Sequence, residues 1–421
     1  MKRILGLLLG TVLLFLSGCA RQPSKVTQGV LSTGPNDSPK DSQIIRLYAG
    51  PVKPQIPLGD SQDGSYSVSS TRVRIEIPRQ LSPEAPIRMA DSNGFLELLP
   101  LEGTAAGQAR TQANCFGQQR ESVWFDSLLG EGIRYSITPL EWGVNTEILL
   151  PEKVGKYTFQ MKLNVPSGWE ADERSKHVLI FRDRQDISRV QGMVYAPLAV
   201  DANGRWSGQT GVELAESDPE NGVYTIEYTV NEEFLEDPKT RYPVTLHQPA
   251  GLYVSKQADT CVHEKGKTSY LSPYLTLGDS GEMGDSKALI RFDSLQELDL
   301  DPDSIQSAKY IVRSLFDLPQ KVKLSAYAVT ENWSSPNAGW DNCPAYDQVP
   351  VGEVLIQNKG EYALDITTLV REMVKNKRFE NTKYAVSKGF LLHCETPGAN
   401  VLLASGDNGL YSPCLELEIK K

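Results

Sequence analysis

Histidine is scarce in this chain: His177, His247, His263 and His393 are the only four in 421 residues. They are far apart in sequence, so the chain reads as having no metal centre and needing no cofactor. Basic residues are outnumbered, with 43 Lys and Arg against 53 Asp and Glu and a formal net charge of −10. Nucleic-acid binding needs a basic footprint to neutralise phosphates, and electrostatic docking on anionic lipid needs the same sign; both are excluded. Catalytic signatures are missing as well. No Gly-x-Ser-x-Gly elbow, no HExxH pair and no phosphate-cradling glycine loop occurs. A glycosidase needs two facing carboxylates, and an acidic chain supplies too many to single out a pair. Glu141 beside Trp142 is one such carboxylate, and it reads as a solvated strand end. Cys394 follows His393 directly, but neighbours on a strand point to opposite faces, which rules them out as a nucleophile and base. The chain therefore reads as a non-enzyme.

What is present is turn chemistry and alternation. Glycine (34) and proline (26) are abundant enough to favour many short elements over long helices. Stretches such as Thr71–Ile77, Gly155–Leu163, Tyr224–Val230 and Val322–Val329 alternate apolar and polar residues between turn residues, the pattern of half-buried strands. Only Ile366–Arg378 shows helical spacing, with Asp365 as N-cap and Leu369, Val370 and Met373 as its apolar stripe. The expected fold class is all-β, with two β-sandwich-like domains over residues 61–250 and 251–421 and one short helix in the second. Arg241–Leu246 reads as a closing strand and Leu252–Cys261 as an opening one, which places the boundary near His247–Gly251.

The N-terminus sets the compartment. Lys2 and Arg3 precede the apolar run Ile4–Leu16, which is too short to cross a hydrocarbon core of about 30 Å as a helix. The run ends in Leu16-Ser17-Gly18-Cys19, which resembles a bacterial lipobox. Residues 1–18 then read as a signal peptide and Cys19 as the acylated mature N-terminus. The implied partner is the lipid bilayer and the implied location is the cell membrane, lipid-anchored and facing outside the cytoplasm. Each buried CH₂ contributes about 0.8 kcal/mol, so two or three chains anchor firmly. Ala20 follows Cys19, so no Asp is present to signal inner-membrane retention in a two-membrane cell. Residues 19–60 are rich in Pro, Ser, Gln, Lys and Asp and read as a flexible tether.

The second half carries a series of motifs in fixed order. They are Ala258-Asp-Thr260, Leu275-Thr-Leu-Gly278, Ala288–Asp293, Ile305–Ala308, Val329–Trp333, Gly339–Pro344, Tyr362–Val370, Gly389–Leu392 and Pro413–Ile419. Their order and spacing resemble the DNRLRE domain, a β-sandwich module of bacterial exported proteins, over about residues 253–420. The middle segment, with Asp201–Ser207, Tyr224-Thr-Ile and Arg241–Val244, is similar to the region ahead of RHS repeats in wall-associated proteins. Tyrosine-aspartate repeats are not found here, so the toxin-delivery role of those proteins does not carry over. The DNRLRE resemblance implies an exported adhesive or glycan-binding class, because some such modules are grouped with carbohydrate-binding modules on polysaccharide lyases.

Candidate carbohydrate-binding residues follow from sugar chemistry. A sugar's apolar CH face stacks on aromatic rings, which selects Trp333, Trp340 and Tyr346, while Asn342 beside Asp341 offers hydrogen bonds to hydroxyls. Asp299-Leu-Asp301-Pro-Asp303 and the loop Gly278–Asp285 are acidic but lack the Gly and terminal Glu of an EF-hand, so they read as turns. After acylation of Cys19, five cysteines remain: Cys115, Cys261, Cys343, Cys394 and Cys414. An odd number leaves at least one unpaired within the chain, and one disulfide or none are both open. The functional expectation is a membrane-anchored, surface-exposed, non-catalytic protein that binds polysaccharide through the C-terminal sandwich. The alternatives are a structural or adhesive protein whose partner is an envelope protein, and a polysaccharide-active enzyme with an unidentified site. If Cys19 is the lipid site, Cys19→Ala should abolish incorporation of labelled fatty acid and release the chain from membranes. Persistent labelling of the variant would overturn the assignment.

Overall fold

The computed structural model describes residues 42–49, 56–61, 64–69, 72–173, 176–252, 258–265, 269–270, 272–279, 283–377 and 381–421. Cys19 and most of the expected tether lie outside them. The alternation seen in the sequence becomes one-sided burial. In Thr158–Asn164, Phe159, Met161 and Leu163 are buried and the residues between them are not. Each such strand lays its apolar row against a facing sheet, and each fully buried Leu, Ile or Phe contributes roughly 1.5–3 kcal/mol.

Two pairs of antiparallel sheets result, which makes the chain all-β with sandwich-like layers. In the first pair, one sheet has eight strands in the order Gly211–Asp218, Val223–Thr229, Thr158–Asn164, Phe95–Pro100, Ile87–Ala90, Arg74–Ile77, Tyr66–Ser69 and Gly59–Asp60. The other has eleven. Its middle is Val190–Tyr195, Val244–Leu252, Gly143–Leu150, Arg134–Pro139 and Gln119–Asp126, and Leu198–Val200 also pairs with Val244–Leu252. Ile75, Leu98, Phe125, Ile148, Phe181 and Leu246 belong to the core between these sheets.

The second pair has six strands on each side. One sheet runs Ser42–Tyr48, Cys414–Lys420, Ile305–Ser314, Asn400–Ala404 and Tyr274–Gly278, with Gly360–Asp365 on the free edge of Ile305–Ser314. The other runs Ser269–Tyr270, Ala258–His263, Ser286–Arg291, Phe390–Cys394, Val322–Ala328 and Gly352–Ile356. Ile290, Tyr310, Leu324, Leu392, Leu403 and Leu417 are part of their shared core. A third apolar cluster joins the pairs. Leu140, Trp142, Tyr195 and Val200 from the eleven-stranded sheet pack with Tyr274, Phe316, Leu402 and Leu410 of the second pair.

Three expectations need correction. Ser42–Tyr48, read as tether, is a strand paired along its whole length with Cys414–Lys420. Ile45 and Leu47 pack against the second core, and the strand covers an edge that would otherwise expose unpaired backbone. The boundary near His247–Gly251 falls inside the continuous strand Val244–Leu252, so His247 is a fully buried strand residue and not a linker. Gly251 is fixed there by its cross-strand partner Gly143, because a Cβ on Gly251 would come within 2.4 Å of the Trp142 carbonyl. The helix is Thr367–Lys375, with Ile366 at the N-cap. Asp365 instead accepts the Thr367 amide at 3.0 Å and its hydroxyl at 2.6 Å. Of the two outcomes left open for the five cysteines, the structure has no disulfide: all five are free thiols, and burial pushes Cys261 and Cys414 up to about 12.

Asp259, the middle residue of the Ala258-Asp-Thr260 motif, is structural. It is 7% exposed, and its Oδ2 accepts the Gly406 amide at 2.8 Å. Burial pushes its carboxyl from 3.8 to about 6. An acid with a raised native pKa loses its proton first in the unfolded chain, so stability falls as pH climbs from about 4 through 6. Asp259→Asn is expected to exceed the parent by about 1–3 kcal/mol near pH 8, with the gap closing below about pH 4. Urea melts across pH test this, and a pH-independent gap would refute the burial argument. A soluble chain beginning at residue 50 should melt lower and aggregate more readily than one beginning at residue 38, as read by calorimetry and light scattering, because it lacks Ser42–Tyr48.

Candidate functional site

Three of the four candidate residues meet on one surface. In the strands Ala258–His263, Ser286–Arg291, Phe390–Cys394 and Val322–Ala328, alternate residues point away from the second core. Val262, Leu289, Leu391 and Tyr327 form an apolar patch there, and residues 329–350 fold over it. Half-buried Trp333, Trp340 and Tyr346 pack onto this patch together with Cys343.

Their roles differ. The Trp333 indole N–H donates to the Lys388 carbonyl at 2.7 Å, and the Arg291 guanidinium stacks 5.2 Å from its ring while donating to its carbonyl at 3.0 Å. Both ring and polar handle are thus engaged within the protein, so Trp333 anchors the loop. Among the described residues, Trp340 has no comparable tie through its indole nitrogen. Lys287 lies 4.5 Å from the Trp340 ring centre and 5.7 Å from that of Tyr346, and its Nζ donates to the Tyr346 hydroxyl at 3.4 Å. Tyr346 in turn packs on Tyr327 with ring centres 5.7 Å apart. Asn342 lies apart from this packing. It is exposed, but its side-chain amide donates to the Asn337 carbonyl at 2.8 Å, within its own loop.

Strand register adds residues that sequence reasoning missed. Lys287, His393, Ser325 and Glu353 are successive cross-strand partners, so they form one polar row beside the aromatics. His393 Nε2 lies 3.0 Å from Asp285. Burial pushes the Asp285 carboxyl up, but hydrogen bonding to His393 and the charges of His393 and Lys287 outweigh it and hold the carboxyl below its usual range. Lys323 bonds Glu353 at 2.6 Å and Glu395 at 3.0 Å, and these bonds raise its pKa. Tyr327 donates its hydroxyl to Glu395. Cys394 faces the core while His393 faces out, as strand alternation requires. The only sequence signal for the row was alternation within each strand. Which rows align depends on register, and register is a property of the paired strands.

The acidic loops resolve differently. Asp301 caps the turn Pro302–Ser304 through the Asp303 amide, and Lys377 approaches Asp299 at 3.3 Å, which accounts for that cluster as a turn. Residues 280–282 of the other loop lie outside the described residues.

The surface thus combines a half-exposed aromatic strip with a row of hydrogen-bonding groups of both signs, an arrangement that presents flat apolar rings and polar edges together. No curated protein matches the chain. Residues 251–418, the stretch that builds this surface, match carbohydrate-binding module family 96, a class of non-catalytic domains.

Proposed function

We propose that this chain is a membrane-anchored, non-catalytic polysaccharide-binding protein that docks its ligand on the aromatic strip of the second pair of sheets. The observation that carries the reading is the gathering of Trp340 and Tyr346 beside the Lys287–His393–Ser325–Glu353 row. That surface lies within the residues that match a carbohydrate-binding family. A pyranose laid on Trp340 buries its CH face against the ring. Its hydroxyls meet donors at Lys287 and Lys323 and acceptors at Asp285 and Glu395. Charged partners give shorter, stronger hydrogen bonds than neutral ones, which suits recognition of a strongly hydrated ligand. The motifs that resemble a DNRLRE module fall in the same stretch. Acylation of Cys19 would hold the module at a membrane surface facing outside the cytoplasm, with the residues ahead of Ser42 as the tether.

Affinity electrophoresis in gels containing single polysaccharides tests the reading. One polysaccharide class should retard the wild-type chain. Trp340→Ala and Tyr346→Ala should each weaken binding roughly 2- to 10-fold, the range for loss of one aromatic contact of about 0.5–1.5 kcal/mol. Trp333→Ala should instead lower the melting temperature. Normal retardation of folded Trp340→Ala and Tyr346→Ala would remove the strip as the platform. Failure of every polysaccharide class to retard the wild-type chain would overturn the ligand class and favour an envelope-protein partner. Release of reducing ends during long incubation would sink the non-catalytic assignment.

A further inference from the structure

A second cluster of chemistry lies far from the aromatic strip, at the junction of the two pairs of sheets. Glu147 and His247 are direct cross-strand partners on Gly143–Leu150 and Val244–Leu252. Both point away from the first core, and they are 4% and 0% exposed. His247 Nδ1 lies 3.1 Å from Glu147 Oε1. The third member comes from the turn between Ala105–Ala113 and Gln119–Asp126. Asn114 Oδ1 accepts the amides of Phe116 at 3.0 Å and Gln118 at 2.9 Å, which curls the turn back over the sheet. Cys115 thereby brings its thiol to the pair, and one ligand atom from each of Cys115, Glu147 and His247 lies within 4.8 Å of the other two.

Phe116 closes the site. Its ring meets His247 edge-on at 4.7 Å and packs on Tyr274 and Phe316 of the second pair of sheets. Two polar atoms at this place, His247 Nε2 and the Tyr274 hydroxyl, have no hydrogen-bond partner among the described residues. Buried polar atoms are seldom left so, because an unmet buried donor or acceptor costs about 1–3 kcal/mol.

We propose that Cys115, Glu147 and His247 bind one divalent transition-metal ion of the zinc class, which fixes the hairpin turn to the sheet at the junction. The donor set selects the ion: a thiolate and an imidazole reject magnesium and calcium and suit zinc or cobalt. Geometry allows it. Zinc–ligand bonds of about 2.0–2.3 Å in a tetrahedron set ligand separations of about 3.3–3.8 Å, against 3.1 Å for His247 Nδ1 to Glu147 Oε1 and no more than 4.8 Å between any two ligand atoms of the three residues. Charge balances too. Binding displaces one proton from the Cys115 thiol to solvent, and a thiolate, a carboxylate and a neutral imidazole then neutralise the dication within a buried site. A water completes the fourth position, and the Tyr274 hydroxyl, unpartnered among the described residues, can hydrogen-bond to it. Its three ligands lie outside residues 251–418, so metal binding and polysaccharide binding are tested by different residues.

Cobalt(II) titration of the full chain, first stripped with chelator, tests the site. Saturation at about one equivalent is expected, with a thiolate-to-cobalt band in the near ultraviolet that added zinc removes. Cys115→Ser should abolish the band with an unchanged far-UV circular dichroism spectrum. Glu147→Gln should weaken cobalt binding at least 10-fold while keeping the thiolate band, and it serves as the second variant if Cys115→Ser does not fold. A folded wild-type chain that shows no thiolate band at millimolar cobalt would overturn the proposal. So would a band that survives in Cys115→Ser, since it would then arise from another cysteine.

Discussion

The structure depends on a sheet that is buried on both faces. Every residue of Gly143–Leu150 is buried, and its neighbour Val244–Leu252 is nearly so. One face of these strands supplies Val144, Ile148, Leu246 and Ala250 to the first core. The other is covered by the second pair of sheets through the cluster of Leu140, Trp142, Tyr274, Phe316 and Leu402. An antiparallel sheet ordinarily keeps one face in water, where polar residues are satisfied by solvent. Here that face is dry, and each polar side chain on it must find a protein partner.

Part of the row succeeds. Ser122 and Thr138 bond each other at 2.6 Å, and Glu147 has His247. Asn145 has no side-chain partner among the described residues, and neither does the Ser136 hydroxyl. The cost of such groups is set by the low local dielectric, which strengthens satisfied networks and penalises unsatisfied ones alike. The junction is therefore at once an apolar contact between the two pairs of sheets and a place where unpartnered polar atoms gather. The aromatic strip is the opposite case. It lies on a sheet whose outer face carries the loop 329–350 in place of a second sheet, and Lys287, His393 and Glu353 of its polar row stay at least partly solvated, available to a hydrated ligand.

The distinction between Trp333 and Trp340 follows from the same reasoning. Both are half-buried tryptophans in the loop over the outer patch. The first has committed its indole N–H and is stacked by Arg291, so its removal acts on loop packing. The second packs on the same apolar patch and shares its ring with the Lys287 ammonium, whose long flexible side chain a ligand can displace at small cost.

Much of the architecture was legible in residue order. Alternation at 2-residue spacing identified strands such as Thr158–Asn164 and Val322–Ala328, because one-sided burial leaves its period in the chain. Aromatic residues near Gly339–Pro344 marked the loop that carries the candidate strip. Ser42–Tyr48 was hidden by its polar surroundings, since the reason it orders is the unpaired edge of Cys414–Lys420 at the other end of the chain. For the same reason the sequence placed His247 only near a domain boundary and Cys115 only among five cysteines of open pairing. What places them beside Glu147 is cross-strand register and a turn folded over a sheet whose second face is covered. Local pattern records which face of a strand is apolar. It carries no record of which distant strand lies alongside, because pairing is decided by the whole chain minimising exposed edge and apolar surface together.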